Sequence, residues 1–471
     1  MKESVERELK LEPGEGFVLP ELGGELLPLR TFVSTYHDTP DLVLARHGIT
    51  FRRRVEDGTG LWQLKLPRGA ARIELEQPGA PARPPVEMLG LLVAYLRGRE
   101  VVPVARLKTR RQGVLADGAE IVEDAVSVLV GQRVTRRFRE LEVELVGGDE
   151  DSLRRLATQL RRAGATSSAE LRPKLFRALE LDLPPAAPTP PPDAPALAAL
   201  GVGLEEQVRQ LLLHDPGTRL GSDPEDLHQL RVATRRLRAF LRAARPLVER
   251  SWSDPLRDEL GWLGKTLGPA RDLDVLRERL AADIESLGDH AADGSDLLEQ
   301  LGADQDHARA AVVDALRSDR YLALLDRLDH VSEPEPASGA GDPPSLTSLL
   351  RKEWRRTRKA VKKLDEGSED DELHAARIRV KRARYAAELA AHELGRPGTR
   401  FVAAAKDVQD VLGRHQDAAV AEARLRAWAD AGHRGEAAAR LLELQEERKR
   451  KARAAWPDAW KTLRRAGKRI E

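Results

Sequence analysis

The sequence predicts an α+β chain of two domains, strands first and helices after, on three observations. Up to about residue 182, polar and apolar residues alternate with a period of two. From about residue 197, long segments rich in Ala, Leu, Arg and Glu carry helical spacing. Between them, LPPAAPTPPPDAPA (183–196) can continue neither a helix nor a central strand and reads as a stiff linker. A second, looser break, EPEPASGAGDPPS (333–345), divides the helical part into halves of about 197–332 and 346–471.

Composition bounds the function. At 471 residues the chain is too long for one ordinary core. Its net charge is only +1, so affinity for a polyanion must come from local patches. The absence of cysteine excludes disulfides, thiolate metal sites and cysteine catalysis. No apolar run approaches the roughly 18 residues of a membrane span. The acidic, alternating start is unlike a signal peptide, so the expected location is the cytoplasm.

Taken in order, the strands share one peculiarity. VERELKL places Glu6, Glu8 and Lys10 on one face and Val5, Leu9 and Leu11 on the other. ITFRRRV sets Thr50, Arg52 and Arg54 against Phe51 and Val55, and LWQLKLP sets Lys65 against Trp62, Leu64 and Leu66. RIELE offers Arg72, Glu74 and Glu76; ARLKTRR offers Arg106, Lys108 and Arg110; RELEVEL offers Glu140, Glu142 and Glu144. EDGTG and LADGAE are turn signals between strands. One half-charged strand is the ordinary case of a solvated sheet face. Whole faces of one sign are not, because like charges two residues apart repel unless something opposite sits among them. A closed barrel with a polar interior resolves this: acidic strands would hold Mg²⁺ or Mn²⁺, and basic strands would hold phosphates.

These residues resemble the CYTH domains of the triphosphate tunnel metalloenzymes. Glu6-Arg-Glu8-Leu-Lys10 matches the ExExK with which those domains begin. YHDTPD (36–41), LARHGITFRRR, WQLKLP and ELEVEL follow in the family's order, so that the resemblance spans roughly residues 1–182. It implies an eight-stranded antiparallel tunnel, with Glu6, Glu8 and Lys10 at its catalytic centre. Glu6, Glu8 and Glu142 or Glu144 would bind the metal. Lys10, Arg52, Arg54, Lys65, Lys108, Arg110 and Lys174 (in RPKLF) would bind phosphate. Gln63 departs from the threonine many members carry there, and Glu140, Glu142 and Glu144 supply three acids where two are expected. The implied activity is metal-dependent hydrolysis of a triphosphate, with inorganic tripolyphosphate preferred. Thiamine triphosphate, nucleoside triphosphates and cyclisation of ATP are the alternatives within the enzyme class, and a non-catalytic polyphosphate binder is the alternative outside it. No glycine-rich P-loop is present.

In the helical part, LHQLRVATRRLRAFL (227–241) superimposes on LHAARIRVKRARYAAEL (373–389). His228, Arg231, Arg235 and Arg238 meet His374, Arg377, Lys381 and Arg384. At about 100° per residue the first four fall within an arc of roughly 80°, opposite Leu230, Leu237 and Leu241. Downstream, WLGKTLGPARDLDVL (262–276) echoes VQDVLGRHQDAAVA (408–421), aligning Gly268 with Gly413 and Asp272 with Asp417. This is an internal duplication. Two charge stripes without carboxylate partners suit a long polyanion. Nucleic acid is disfavoured, since stacking needs aromatics and only 4% of the chain is aromatic. The repeats resemble the CHAD domain, a histidine-containing helical domain found behind CYTH. That resemblance, over roughly 197–471, implies two four-helix bundles whose basic channel binds inorganic polyphosphate through these eight residues, and association with polyphosphate granules. Arg242 aligns with Glu388, so the two walls are not equally basic.

Overall fold

The computed structural model describes residues 1–69, 71–81, 83–166, 172–182, 189–338, 342–365 and 367–471. It divides into two units, Met1–Ala186 and Ala187–Glu471. Of the expected linker, residues 183–188 lie outside the described residues.

The first unit is one antiparallel sheet. Its strands are β1 (Lys2–Glu6), β2 (Glu8–Pro13), β3 (Glu25–Asp38), β4 (Thr50–Glu56), β5 (Thr59–Arg68), β6 (Ala71–Pro78), β7 (Val102–Ala116), β8 (Ala119–Val130), β9 (Arg133–Leu145) and β10 (Ala165–Thr166). They are ordered β1-β6-β5-β4-β3-β7-β8-β9-β2-β10. Only Arg7 separates β1 from β2, and these two segments pair with β6 and β9 respectively, so one interrupted strand closes the sheet into a barrel. Counted as one, and without the two-residue β10, the strands number the eight expected. The break at Arg7 is not visible in the unbroken alternation of VERELKL. Both turn signals are two-residue hairpins: Asp57–Gly58 and Asp117–Gly118 have positive φ at each residue, the backbone that Asp-Gly favours.

Short helices α1 (Val43–Arg46), α2 (Val86–Leu91) and α3 (Val93–Leu96) precede α4 (Glu150–Arg162) and α5 (Lys174–Leu179). The barrel's apolar faces point outward. Leu11, Ile121, Leu141 and Val143 are covered by Leu156 and Leu160 of α4, whose N-terminus Asp149 caps by accepting from the Ser152 amide at 2.8 Å. Helix α5 instead packs Leu175 and Phe176 against Tyr36, Leu107, Val126 and Val128.

The second unit is helical. Its first half holds α6 (Ala196–Leu220), α7 (Pro224–Ala243), α8 (Arg250–Glu285), α9 (Ser295–Arg317) and the shorter α10 (Asp319–Leu328). Its second half holds α11 (Leu346–Val361), α12 (Asp370–Leu389), the single turn α13 (Ala391–Leu394), α14 (Arg396–Asp430) and α15 (Glu436–Gly467). Each half thus has four long helices, packed in succession, and α7 meets α12 between the halves. The two repeat helices start on different caps: Asp223 followed by Pro224 for α7, and a Glu369–Glu372 capping box for α12. The second proline-rich break is not loose throughout. The Glu249 amide donates to the Glu335 carbonyl at 2.9 Å and the Ala337 amide to the Leu247 carbonyl at 3.0 Å, while 339–341 lie outside the described residues. Among the described residues, no helix is long and apolar enough to cross a membrane.

Candidate functional site

The barrel encloses a cavity of about 420 Å³ lined by nine Lys or Arg and seven Glu side chains. Of the residues expected there, Glu6, Glu8, Lys10, Arg52, Arg54, Lys65, Glu142, Glu144 and Lys174 all line it. Alternation explains most of this. With Phe51, Trp62, Leu64, Leu66, Ile73 and Leu75 buried on the outer side, Arg52, Arg54, Lys65 and Glu74 must face in.

Lys108 and Arg110 are the correction: both are exposed on the outer face, and Arg111 lines the cavity in their place. The cause is α5. Leu107 packs against its plug residues Leu175 and Phe176, so Thr109 and Arg111 follow Leu107 inward and Lys108 and Arg110 are turned out. Sequence reasoning also missed Asp124 and assigned no role to Arg72, Glu74 or Arg30, although RIELE had already set Arg72 and Glu74 on one face.

Charges are sorted within the cavity. Glu142 is a hub: it accepts from Lys10, from Lys174 at 2.9 Å and from Arg111 at 2.7 Å. Burial opposes its ionisation, but Lys10, Lys174 and Arg111 hold its carboxyl well below the usual range. Burial likewise opposes the Lys10 ammonium, yet Glu142, Glu140 and Glu8 hold it above the usual lysine range. Asp124, Glu140 and Glu142 form a carboxylate group that could hold a metal ion. Here the Lys174 ammonium stands among them, 2.8, 2.7 and 2.9 Å from the three.

A second acidic group is short of positive charge. Glu6 holds Lys65 at 2.6 Å, and that same ammonium is 3.5 Å from Glu74. Glu74 Oε1 is buried and accepts no hydrogen bond. Burial, then the carboxylates of Glu6, Glu74 and Glu142, push Glu144 up to about 7 despite Lys65. A cluster of carboxylates that a single ammonium leaves uncompensated fits a hard divalent cation. Along the neighbouring strands β4, β5 and β6, Arg52 donates to Gln63 at 2.8 Å and to the Tyr36 hydroxyl at 3.2 Å, and Gln63 donates to Glu76 at 2.6 Å. Gln63 therefore orients a basic residue and an acidic one at once.

In the helical unit, the two stripes converge between α7 and α12. A cavity of about 860 Å³ is lined by ten Arg or Lys side chains, including Arg235, Arg238 and Lys381, and by one acid, Glu353. Arg235 Nε donates to the Tyr385 hydroxyl at 2.5 Å. Burial, then Arg235, Arg377, Arg231 and Arg384, push Lys381 down to about 7. His228 is lowered by burial and then by Arg271; His374 Nδ1 is buried without a hydrogen-bond partner. The aligned glycines lie beside the stripes. A Cβ at Gly413 would lie 3.5 Å from the Arg377 guanidinium, and one at Gly268 would lie 3.8 Å from that of Arg231. Asp272 then takes Arg231 at 3.1 Å, and Arg377 donates to the Gln409 carbonyl at 3.4 Å. Glu388, where the first repeat has Arg242, takes Arg236 at 3.0 Å and Arg384 at 3.4 Å.

Comparison with known proteins agrees with this division. The chain matches the CYTH domain over residues 4–170 and the CHAD domain over residues 202–426. It is 34% identical over 479 residues to an uncharacterized protein of Mycobacterium tuberculosis (strain CDC 1551 / Oshkosh), covering 89% of this chain and 88% of that one. The chain belongs to the CYTH–CHAD family. It is also similar to a thiamine-triphosphatase of Homo sapiens, 45% identical over 69 residues, which are 15% of this chain and 28% of that protein. The crystal structure of the CHAD domain from the plant Ricinus communis aligns at 25% identity with a TM-score of 0.47, covering 59% of this chain and 95% of that one. The CYTH family is metal-dependent, in keeping with the carboxylate groups of the tunnel.

Proposed function

We propose that the CYTH tunnel hydrolyses inorganic tripolyphosphate with Mg²⁺ or Mn²⁺, and that the CHAD groove holds long-chain polyphosphate. The observation that carries this reading is the sorted lining of the tunnel. Glu6, Glu74 and Glu144 form an acidic wall short of one cation, while Arg52, Arg54 and Arg111 supply a basic one. Bound at the acidic wall, a divalent ion would supply neutralisation of phosphate charge and a polarised water. Lys10, Lys174 and the arginines would bind and orient the phosphoryl oxygens. Glu8 and Glu142 line the same cavity and would complete the ligand shell when phosphate draws their ammonium partners away. With sixteen charged side chains around it, the cavity offers a base or a thiazolium ring little apolar surface, which favours an all-phosphate substrate. The same reading expects the protein in the cytoplasm, at polyphosphate granules.

Phosphate release by the full-length protein, with tripolyphosphate, thiamine triphosphate and ATP in turn and either metal, tests it. Tripolyphosphate should be the best substrate. Glu6→Gln, which keeps shape and removes charge, should reduce turnover by about a hundredfold or more, on the scale of losing one electrostatic contact to the transition state. Preference for thiamine triphosphate would move the assignment to the activity named for the human relative. No release from any substrate would leave a binding protein.

A further inference from the structure

The residues that the tunnel turned away lie on a second basic surface, on the outside of the barrel. Arg106, Lys108 and Arg110 of β7 are exposed there, as are Arg137 and Arg139 of β9. Strand β8 runs between them with a register that aligns Lys108 with Ser127 and Arg137, and Arg110 with Ala125 and Arg139. The small side chains of Ala125 and Ser127 make a floor, and the two cationic rows make walls. Neighbouring strands are about 4.8 Å apart, so the rows stand roughly 10 Å from each other, and charges repeat along each row every roughly 7 Å. Long Lys and Arg stems on both sides can reach one chain laid along β8.

Of these charges, Arg139 alone has an acidic partner among the described residues. Glu123 holds Arg139 at 2.6 Å and accepts from Gln112 at 3.2 Å, and the Phe17 carbonyl accepts from Arg139 at 3.0 Å. Arg106, Lys108, Arg110 and Arg137 make no ion pair among the described residues. Like charges facing one another on a sheet destabilise it. In a chain of net charge +1, four uncompensated cations on one exposed face are a local concentration, not a reflection of overall basicity.

We propose that the outer face of β7, β8 and β9 is a second binding site for inorganic polyphosphate, separate from the tunnel and from the CHAD groove. The inference rests on polyphosphate being this protein's ligand. Charge complementarity selects a polyanion, and a floor of Ala125 and Ser127 offers no ring for a base to stack on, which selects phosphate over single-stranded nucleic acid. The trough is an exposed sheet face, so it takes a chain along its length and leaves the tunnel free to take an end.

The test uses the full-length protein and long-chain polyphosphate, read by fluorescence titration at several salt concentrations. Arg235→Glu with Lys381→Glu, both lining the groove, disables it, and Lys108→Ser with Arg110→Ser and Arg137→Ser disables the trough; circular dichroism checks that each variant is folded. With the groove disabled, measurable binding should remain. Adding the trough substitutions should weaken it about tenfold or more and flatten its salt dependence. Lys108→Arg with Arg110→Lys, which keeps the charge, should bind as the parent does, and tripolyphosphate hydrolysis should be unchanged in all trough variants. Equal binding with and without the trough substitutions would overturn the proposal, as would no binding once the groove alone is disabled. Tighter trough-dependent binding of single-stranded DNA or of poly-glutamate than of polyphosphate would overturn the choice of ligand. Failure of the unmodified protein to bind polyphosphate at all would instead remove the reading on which the proposal stands.

Discussion

Lys381→Met should make the protein more stable and, at the same time, weaken its grip on polyphosphate. Lys381 is half-buried beside Arg235, Arg377, Arg231 and Arg384, and desolvation together with those guanidinium groups lowers it from 10.5 to about 7. In the unfolded chain it would titrate near its ordinary value, so between about pH 7 and 10.5 the unfolded state binds more protons. Stability therefore rises with pH through that window, and the whole cost is present below pH 7. A depression of this size corresponds to something on the order of 5 kcal/mol at low pH. Methionine keeps the stem and removes the charge. Recovery of about half that cost at pH 6 would raise the melting temperature by about 5–10 °C. The gain should shrink towards nothing by pH 10. Urea unfolding of both proteins at pH 6, 7, 8 and 9 measures it, and a variant no more stable than its parent at pH 6, or a difference that ignores pH, would refute the reasoning. A polyanion in the groove should restore the ordinary affinity of Lys381 for its proton. Calorimetry in buffers of different ionisation enthalpy should then report uptake of close to one proton per binding event at pH 8, and none in Lys381→Arg.

Three further outcomes are expected. Glu144, protonated below about pH 7 by burial and its acidic neighbours, must ionise to take a divalent cation, so Mn²⁺ binding at pH 6 should release about one proton and at pH 8 almost none; equal release at both would remove Glu144 from the ligand set. Arg52→Ala should raise the KM for tripolyphosphate by the loss of a contact worth about 1.5–3 kcal/mol, while Arg110→Ala, on the outer face, should leave it unchanged. Asp38 is buried and accepts from the amides of Thr39, Leu44 and Ala45 at 2.7, 2.9 and 2.8 Å, so Asp38→Ala should cost about 2–4 kcal/mol in a urea titration by leaving buried amides unpaired.

How far the sequence could be read depended on the range of the force at work. Facing of side chains along a strand is local, and Arg52, Lys65 and Glu144 were legible from it. The facing of β7 was not, because Leu107 answers to Leu175 and Phe176, far away in sequence. Asp124 was hidden for a related reason: in EIVEDAV two acids are adjacent, and only pairing with Arg111 (2.7 Å) and Lys174 (2.8 Å) distinguishes the inward one from Glu123. The break at Arg7 has no counterpart in composition, since it serves the change of partner from β6 to β9. In the helices the stripes were legible because helical spacing is local. The meeting of Lys381 with arginines of the other repeat was not, since it depends on how α7 and α12 pack. Gly268 and Gly413 were visible as aligned glycines, but their place beside guanidinium groups needed the packed helices.

The interrupted strand that closes the barrel has a consequence for how the protein is made. Residues 2–13 leave the ribosome before either partner exists, then wait for residues 72–76 and again for 141–144. Until the second partner arrives, the nascent sheet has two open edges, the kind of template on which neighbouring copies aggregate. The rows destined for the tunnel lie along those edges: Arg72, Glu74 and Glu76 on β6, and Glu140, Glu142 and Glu144 on β9. Charges buried in the finished barrel are exposed in the open sheet, where the three carboxylates of β9 repel a second copy of that edge. The side chains that make the interior a site thus also guard the chain while it is still incomplete, and substitutions that neutralise several of them together should lower the yield of soluble protein as well as its activity.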